Sequence, residues 1–491
     1  MTHFTKLLSA SVLALTASIA SAQTSITVAI QLEPPNLDPT GGAAQAIDSV
    51  LYSNVFEGLT RFMADGSVVA GLAQSWEISD DGLTYTFMLH DGVTFHDGTT
   101  MDAEDVKFSL DRARSDDSIN AQKGLFADIA DVTVVDPLTV AVTLSQPNGM
   151  FLFNMAWGDA VIVAPESIDT IASNPIGTGA FTFTDWVQGD RLELTRNESY
   201  WGQPAALETA TFRFISDPTA AFAAVMAEDV DAFVGFPAPE NLPQFEADPR
   251  FQVLVGNTEG ETILSMNNKM PPFDNVLVRQ AVSLAIDRQS IIDGAMFGYG
   301  TPIGTHFAPH NPDYVDLIAN STYNPERARE LLAEAGFADG FTTTLKLPPP
   351  SYARRGGEII ASQLREVGIT AEISNLEWAQ WIEEVFTGKD FGLSIVSHTE
   401  PMDIGIYANP EYYFQYDNPD FQALMDTLNA TTDPATRSAL LADAQTMISE
   451  DYVNGYLFQL AVPTVAKAGL NGLWLDQPTA AVDLTGVTWS E

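Results

Sequence analysis

The sequence contains no cysteine and only 22 lysine and arginine residues, against 65 aspartate and glutamate residues. Without cysteine, disulfide frameworks, thiolate metal sites and cysteine nucleophiles are all excluded. The formal net charge of −43 repels nucleic acid and anionic membrane surfaces, and it favours solubility where salt screens self-repulsion. The composition therefore predicts an acidic protein that does not bind nucleic acid, and it fits a saline medium.

Long apolar runs are absent from the chain after its N-terminal segment. No later segment has the roughly 18 consecutive apolar residues that a membrane span needs. Residues 1–22 have the pattern of a secretory signal peptide: Lys6, an apolar run from Leu7 to Ala20, and the small residues Ala20 and Ala22. No cysteine follows that run to carry a lipid. We therefore expect an exported protein that is free in the periplasm. A length of 491 residues exceeds one ordinary core and predicts two lobes.

Sequence motifs of catalysis are missing as well. The chain has no Gly-x-Ser-x-Gly, no His-Glu-x-x-His and no phosphate loop, because Gly177-Thr178-Gly179 is not followed by Gly-Lys-Ser or Gly-Lys-Thr. Neighbouring carboxylates such as Glu383-Glu384 fit a solvated helix face. The sequence favours a binding protein over an enzyme, and we predict no catalytic residue, cofactor or metal. A periplasmic hydrolase with a Glu and Asp pair across a cleft stays an open alternative.

Hydrophobic periodicity and turn residues indicate alternating strands and helices. Residues 84–89 favour a strand between polar turns, and Asp102 is placed to cap a following helix. Apolar spacing predicts a helix over 44–59, and residues 211–234 read as a β-α-β unit. We expect the chain to cross between lobes near 256–262 and to return at Thr464 and Val465.

Three stretches, 73–110, 174–202 and 263–292, resemble the family 5 extracellular solute-binding proteins, which serve ABC importers of peptides, nickel and related solutes. The residues that carry the resemblance are Ser75-Trp76, Asp81 to Tyr85, Gly92-Val93, Phe95 to Gly98, Gly177 to Gly179, Arg196-Asn197, Tyr200-Trp201, Pro272 to Asp274 and Val278 to Ala281. His90 departs from the family pattern, which usually has Arg or Lys there.

The resemblance implies an α/β, two-lobed periplasmic binding protein fold with an extra subdomain inserted in the first lobe. It also implies a periplasmic receptor that captures a peptide or related amine-bearing nutrient between the lobes, and an inner-membrane ABC permease with its ATPase as partners of a monomer. The expected parts are lobe I over 23–47, 172–258 and 464–491, the inserted subdomain over 48–171, and lobe II over 259–463.

The same resemblance points to loops at the cleft. Trp378, in a Glu-Trp pair after the strand at Ile369, is expected to pack on ligand, since loop aromatics bury large area and stack on flat or cationic groups. The other predicted ligand contacts are Glu33, His398, Glu400, Asp403, Tyr407 and Tyr413.

Peptide-binding relatives keep an acid and a base where this chain has Ser397 and Leu347, so a free dipeptide is not the expected ligand. Lys346 or Arg354 is a possible replacement for the missing base. Because Glu400 and Asp403 share a loop, we expect a ligand with a cationic or amine group and an apolar or planar body.

Metal binding is the alternative function within the family, as a receptor for nickel or a metal chelate. His306 and His310 have a helical metal-ligand spacing, but Pro302, Pro309 and Pro312 oppose a helix there. A loop that brings them to His398 stays open as an alternative. We expect two surface histidines without a metal.

Overall fold

The structure is a computed structural model that describes residues 23–41 and 44–490. The predicted signal peptide, residues 1–22, lies outside the described residues. Within them, every helix is too short or too polar to cross a membrane.

The strands are numbered in chain order. They are β1 Ser25–Ile30, β2 Thr60–Phe62, β3 Val68–Ala70, β4 Ala73–Ile78, β5 Thr84–Leu89, β6 Ile129–Asp136, β7 Thr139–Leu144, β8 Phe181–Val187, β9 Arg191–Arg196, β10 Thr209–Phe214, β11 Ala232–Phe233, β12 Phe251–Met266, β13 Thr301–Pro302, β14 Phe341–Leu347, β15 Ile369–Asn375, β16 Leu393–His398, β17 Asn454–Lys467, β18 Leu470–Asn471 and β19 Thr488–Trp489.

The helices lie mainly between these strands. They are α1 Gln45–Leu51, α2 Ala103–Arg114, α3 Phe151–Asn154, α4 Pro218–Met226, α5 Leu242–Glu246, α6 Val276–Leu284, α7 Arg288–Met296, α8 Pro325–Glu334, α9 Ser351–Glu366, α10 Trp378–Trp381, α11 Pro419–Ala430 and α12 Pro434–Glu450. A π-helical segment, Ile382–Thr387, continues α10, and a short 3₁₀ helix spans Asp403–Ala408.

One large sheet runs through both halves of the molecule, in the order β15-β14-β16-β12-β17-β11-β1-β10-β9-β8, with β13 beside β17. The long antiparallel strands β12 and β17 carry the chain between the halves. Their register is irregular between Asn257 and Glu261, inside the segment where the sequence predicts the change of lobe. The partner segment on β17 is 459–462, slightly before the predicted return at Thr464. The lobe boundaries themselves stay predictions.

The first half contains the predicted β-α-β unit. Strand β1 pairs in parallel with both β10 and β11, and α4 connects β10 to β11. Helix α4 begins at Pro218, because the Asp217 side chain accepts a hydrogen bond from Ala220 N (2.8 Å) and Pro218 occupies the first turn.

The second half repeats the α/β pattern. Strand β14 pairs in parallel with β15 and β16, and helices α6 to α9 pack on one face of these strands around buried aliphatic residues. An aromatic core lies on the other side, beneath α11 and α12. Together the halves give the predicted α/β, two-lobed architecture.

A separate four-stranded antiparallel sheet, β4-β5-β7-β6, is inserted in the first half and is covered by α2. The predicted strand over 84–89 is confirmed as β5. The predicted cap of α2 is also confirmed: Asp102 accepts from Glu104 N (2.8 Å), while Asp105 accepts from Asp102 N (2.8 Å).

A buried carboxylate ties this inserted part to the first half. Glu57 accepts hydrogen bonds from Tyr200 Oη (2.7 Å), Trp201 Nε1 (2.9 Å) and Thr178 Oγ1 (2.8 Å). Burial raises the pKa of Glu57, and these three donors oppose the rise. The Tyr-Trp and Gly-Thr-Gly motifs thus serve one anchoring contact.

The helix predicted over 44–59 is corrected by the structure. Helix α1 ends at Leu51, and Ser53 adopts a left-handed φ of 60°. The apolar residues beyond Leu51 are buried, but an irregular turn presents them to the core instead of a helical face. Apolar spacing alone does not distinguish these two arrangements.

The C-terminal segment 474–480 packs against β12 where the two halves meet. Asn257 N donates to Asp476 Oδ1 (2.7 Å), and Gln477 N donates to Asn257 O (2.8 Å). Gly256 permits this close approach, because a Cβ there would lie 1.6 Å from Leu475 O.

Candidate ligand cleft

A cavity of about 720 Å³ lies between the two halves, beside the crossing of β12 and β17. Its walls come from the loop after β1, from α1, from the inserted part, from the crossing strands and from the loop after β16. The C-terminal segment closes one side through Gln477, Pro478, Thr479 and Ala480. A volume of this size between two lobes suits a small-molecule or peptide ligand.

The charged side chains of this cavity are all acidic. Asp48, Asp159, Glu259 and Glu400 line it, and among the described residues no lysine, arginine or histidine does. Apolar area is supplied by Trp157, Phe236, Tyr299 and Met296. The cavity therefore combines aromatic walls with negative potential, an environment that attracts cations.

Asp48 and Asp159 form the acidic end of the cavity, one on α1 and the other in the inserted part. Burial, and secondarily the charge of Asp159, raise the pKa of Asp48 to about 8. Burial raises the pKa of Asp159 to about 7. Both carboxyls are surrounded by protein yet face the cavity, so a ligand cation can replace the solvation that they lack.

Two polar atoms at this acidic end of the cavity have no hydrogen-bond partner. Within the described residues, Trp157 Nε1 and Asp159 Oδ1 are buried without a hydrogen-bond partner. The intervening Gly158 lies against Asp48, since a Cβ there would lie 2.3 Å from Asp48 Oδ1. Unmet donors and acceptors in a cavity wall are the groups that a ligand satisfies.

A second acidic pair lies on β12 at the crossing. Glu259 Oε1 is 2.6 Å from His310 Nε2, and burial raises the pKa of Glu259 while His310 opposes the rise. Burial also raises the pKa of Glu261 well above its usual range, and Glu261 Oε2 has no partner among the described residues.

A buried cluster of two histidines and one aspartate lies behind the loop that carries Glu400. Asp403 Oδ1 is 2.8 Å from His306 Nε2, and Asp403 Oδ2 is 3.3 Å from His398 Nδ1. The outer nitrogens contact tyrosine hydroxyls: His306 Nδ1 lies 3.1 Å from Tyr407 Oη, and His398 Nε2 lies 3.1 Å from Tyr413 Oη.

The structure brings most of the predicted ligand contacts close together, but only one of them lines the cavity and the others are buried behind its wall. Glu400 lines the cavity. His398 and Asp403 lie in the buried cluster instead of the cavity wall. Tyr407 and Tyr413 are 0% and 1% exposed and pack in the aromatic core, which corrects the expectation that they face the ligand.

Two further predicted contacts lie away from the cavity. Trp378 is 43% exposed at the start of α10 and packs edge-on against Trp381, with ring centroids 5.7 Å apart. Glu33 accepts from Trp186 Nε1 (3.0 Å) and Gly189 N (2.8 Å), so it holds the turn between β8 and β9. Neither residue lines the cavity, so the two expected ligand contacts are not found there and stay predictions.

The expectation of surface histidines is wrong, because the side chains of His306 and His310 are each 1% exposed. Lys346 and Arg354, the two possible replacements for the missing base, both form ion pairs with acidic side chains outside the cavity. Lys346 pairs with Glu384 (2.8 Å) and Asp390 (3.0 Å), and Arg354 pairs with Glu377 (3.2 Å).

Sequence reasoning missed Asp48, Trp157 and Asp159. The signal present in the sequence was an aromatic, a glycine and an acid in direct succession at 157–159. Its pairing with Asp48 depends on the folded contact between α1 and the inserted part, which no local pattern contains.

Comparisons with known proteins agree with this architecture. Residues 67–444 match the family described as bacterial extracellular solute-binding proteins, family 5 Middle. The glutathione-binding protein GsiB of Escherichia coli O1:K1 is 31% identical over 495 residues, covering 94% of each chain. That of Salmonella paratyphi A is 33% identical over 367 residues, covering 73% of this chain and 71% of its own.

Among solved structures, HbpA2 from Haemophilus parasuis superposes with a TM-score of 0.86 at 26% identity, covering 95% of this chain and 100% of the other. The matches to the E. coli protein and to HbpA2 extend over nearly the whole chain. The chain belongs to the family 5 bacterial extracellular solute-binding proteins, and it is a solute-binding receptor of ABC importers, not an enzyme.

Proposed function

We propose that this receptor captures a net-cationic, amine-bearing peptide or related solute in the cavity between its lobes. One observation carries the proposal: the described lining of the cavity holds four carboxylic acids and no basic side chain. A ligand ammonium or guanidinium group would lie at Asp48 and Asp159, where buried carboxyls lack a cationic partner. Trp157 Nε1 would donate to a ligand oxygen.

Glutathione, the ligand in the names of the E. coli and Salmonella relatives, is a weaker fit to this cavity. It carries two carboxylates and one ammonium group, so two anionic ends would enter an acidic lining without a basic partner. Ser397 and Leu347 also lie outside the lining, and Leu347 is fully buried in the core of the second half. A cationic solute, by contrast, would bring a positive charge to an acidic lining that has no basic side chain of its own.

Capture is expected to close the lobes about the β12 and β17 crossing. A ligand that contacts both halves binds the closed form more tightly and shifts the population towards it. We propose that the closed monomer then docks on an inner-membrane permease whose ATPase drives import. Export through the N-terminal signal peptide belongs to the same proposal.

Native mass spectrometry of the untagged protein, purified without denaturation, identifies the retained solute. Calorimetry then compares that solute and glutathione in the presence of EDTA. Asp159→Asn and Glu400→Gln are expected to weaken binding of the cationic solute, since each removes one of the four lining carboxyl groups. Asp80→Asn makes the same charge change at an exposed turn and serves as the matched control.

Tight binding of a purely anionic or neutral solute, unchanged in Asp159→Asn and Glu400→Gln, would contradict the cationic assignment. The family assignment would survive that result. Superimposable scattering profiles with and without the retained solute would contradict the closure of the lobes.

A further inference from the structure

The cluster of His306, His398 and Asp403 has the composition of a metal site. One nitrogen of each histidine and a carboxylate oxygen of Asp403 converge, with these ligand atoms all within 4.8 Å of one another. The nitrogens that contact Asp403 are His306 Nε2 and His398 Nδ1. Two imidazoles and one carboxylate are a common donor set for divalent transition metals, zinc in particular. The 2.8 and 3.3 Å separations between nitrogen and oxygen approach those of neighbouring ligands around one ion.

The outer nitrogens of both histidines are already positioned. Tyr407 Oη lies 3.1 Å from His306 Nδ1, and Tyr413 Oη lies 3.1 Å from His398 Nε2. The hydroxyls are held in turn, Tyr407 by Asn454 Nδ2 (3.1 Å) and Tyr413 by Ser265 Oγ (2.6 Å). Hydrogen bonds to the outer nitrogen fix the ring orientation and tautomer of a metal-bound histidine, so both rings are prearranged to present their inner nitrogens.

The charges around the cluster also favour a cation. Glu259, Glu261 and Glu400 are near enough to interact electrostatically with its members. Within the described chain, none of these three, nor Asp403, forms an ion pair with lysine or arginine. Histidines are thus the basic partners that the described residues offer to Glu259 and Asp403. A divalent ion at the cluster would add positive charge next to these carboxylates, which favours its binding.

A left-handed turn in the backbone sets the position of Asp403. Met402, directly before it, adopts a left-handed φ of 60°, an uncommon conformation for a residue other than glycine. This turn starts the 3₁₀ helix Asp403–Ala408, which carries both Asp403 and Tyr407. The strained residue thereby aims a carboxylate between two histidines from β16 and from the loop after β13.

We propose that His306, His398 and Asp403 bind one divalent transition-metal ion, which holds the loop carrying Glu400 against the second half. The ion would be resident, not the transported solute, because its ligands lie behind the cavity wall and not in it. The site is independent of the proposed cationic ligand, so either can fail without the other.

Titration of untagged, EDTA-treated and dialysed protein with Co²⁺ tests the proposal, with no peptide present. Wild type is expected to take up one equivalent, to develop visible ligand-field absorption, and to lose it when Zn²⁺ is added. His398→Gln and Asp403→Asn are expected to abolish that absorption. His90→Gln, a histidine outside the cluster, is the matched control and should retain it.

Tyr413→Phe keeps all three ligands and removes the hydroxyl that orients His398, so about a 10–100-fold loss of Co²⁺ affinity is expected. This variant keeps the test decisive if a ligand variant fails to fold. Wild-type protein that takes up no stoichiometric ion would overturn the proposal. Equal uptake by wild type, His398→Gln and Asp403→Asn, or uptake that is lost only in Asp48→Asn, would overturn it as well.

Discussion

Proton release on ligand binding is the most quantitative consequence of the acidic cavity. With pKa values of about 8 for Asp48 and about 7 for Asp159, roughly nine-tenths of the first carboxyl and half of the second are protonated at pH 7. A bound cation favours the ionised form of each, so binding at pH 7 should release between about one and 1.5 protons.

The same values fix the direction and size of the pH dependence. Because the empty cavity holds the protons, affinity for a cation rises with pH and levels off above the higher pKa. If both carboxyls ionise fully on binding, the gain between pH 6 and 9 reaches about 1,000-fold, or roughly 4 kcal/mol. Asp48→Asn should lose most of this gain and release about half a proton at pH 7, through Asp159 alone.

Calorimetry in phosphate and Tris buffers at pH 7 measures the number of protons, since the buffers differ in ionisation enthalpy. A guanidinium-bearing peptide amide with a blocked N-terminus is the appropriate probe, because its charge is constant from pH 6 to 9. Asp80→Asn should behave as wild type. A binding heat independent of buffer, together with constant affinity across this range, would refute the reasoning.

Three further predictions concern stability and the extent of the site. Asp48→Asn should become progressively more stable relative to wild type as pH rises from about 4 to 8, because over this range the Asp48 carboxyl is ionised in the unfolded chain but still protonated in the folded protein, and this difference destabilises the wild type; urea unfolding at several pH values measures this. Trp378→Ala should keep ligand affinity within about twofold of wild type, since Trp378 lies outside the cavity lining. A loss of affinity above about tenfold would show that Trp378 contacts the ligand. Glu57→Gln should lower the free energy of unfolding by about 2–4 kcal/mol, because its amide faces a hydrogen-bond donor, whereas unfolding like wild type would exclude the anchoring role.

Local sequence signals identified the elements of the fold well. The cap at Asp102 and the strand over 84–89 follow from chemistry within a few residues, and the structure confirms them. The prediction that the first helix continues beyond Leu51 was wrong, because buried irregular turns and helical faces can have the same apolar spacing. The two-lobed class followed from the resemblance, which rests on packing and anchoring residues such as Tyr200 and Trp201.

The site was less predictable, for a physical reason. The loop containing Glu400 and Asp403 was identified, but exposure decides whether a side chain meets ligand, and exposure depends on distant segments. Tyr413 is enclosed by rings from several elements, and Asp48 meets Asp159 only after the inserted part folds. The acidic character of the pocket was anticipated, although three of its four acids were not.

The contact between the C-terminal segment and β12 couples one wall of the cavity to the strand about which the lobes are proposed to close. Asp476 and Gln477 hydrogen-bond Asn257, and residues 477–480 close one side of the cavity. A shift of β12 during closure would therefore displace this wall together with the strand. The cavity would then change shape on two sides at once, so the C-terminal segment would take part in enclosing the ligand.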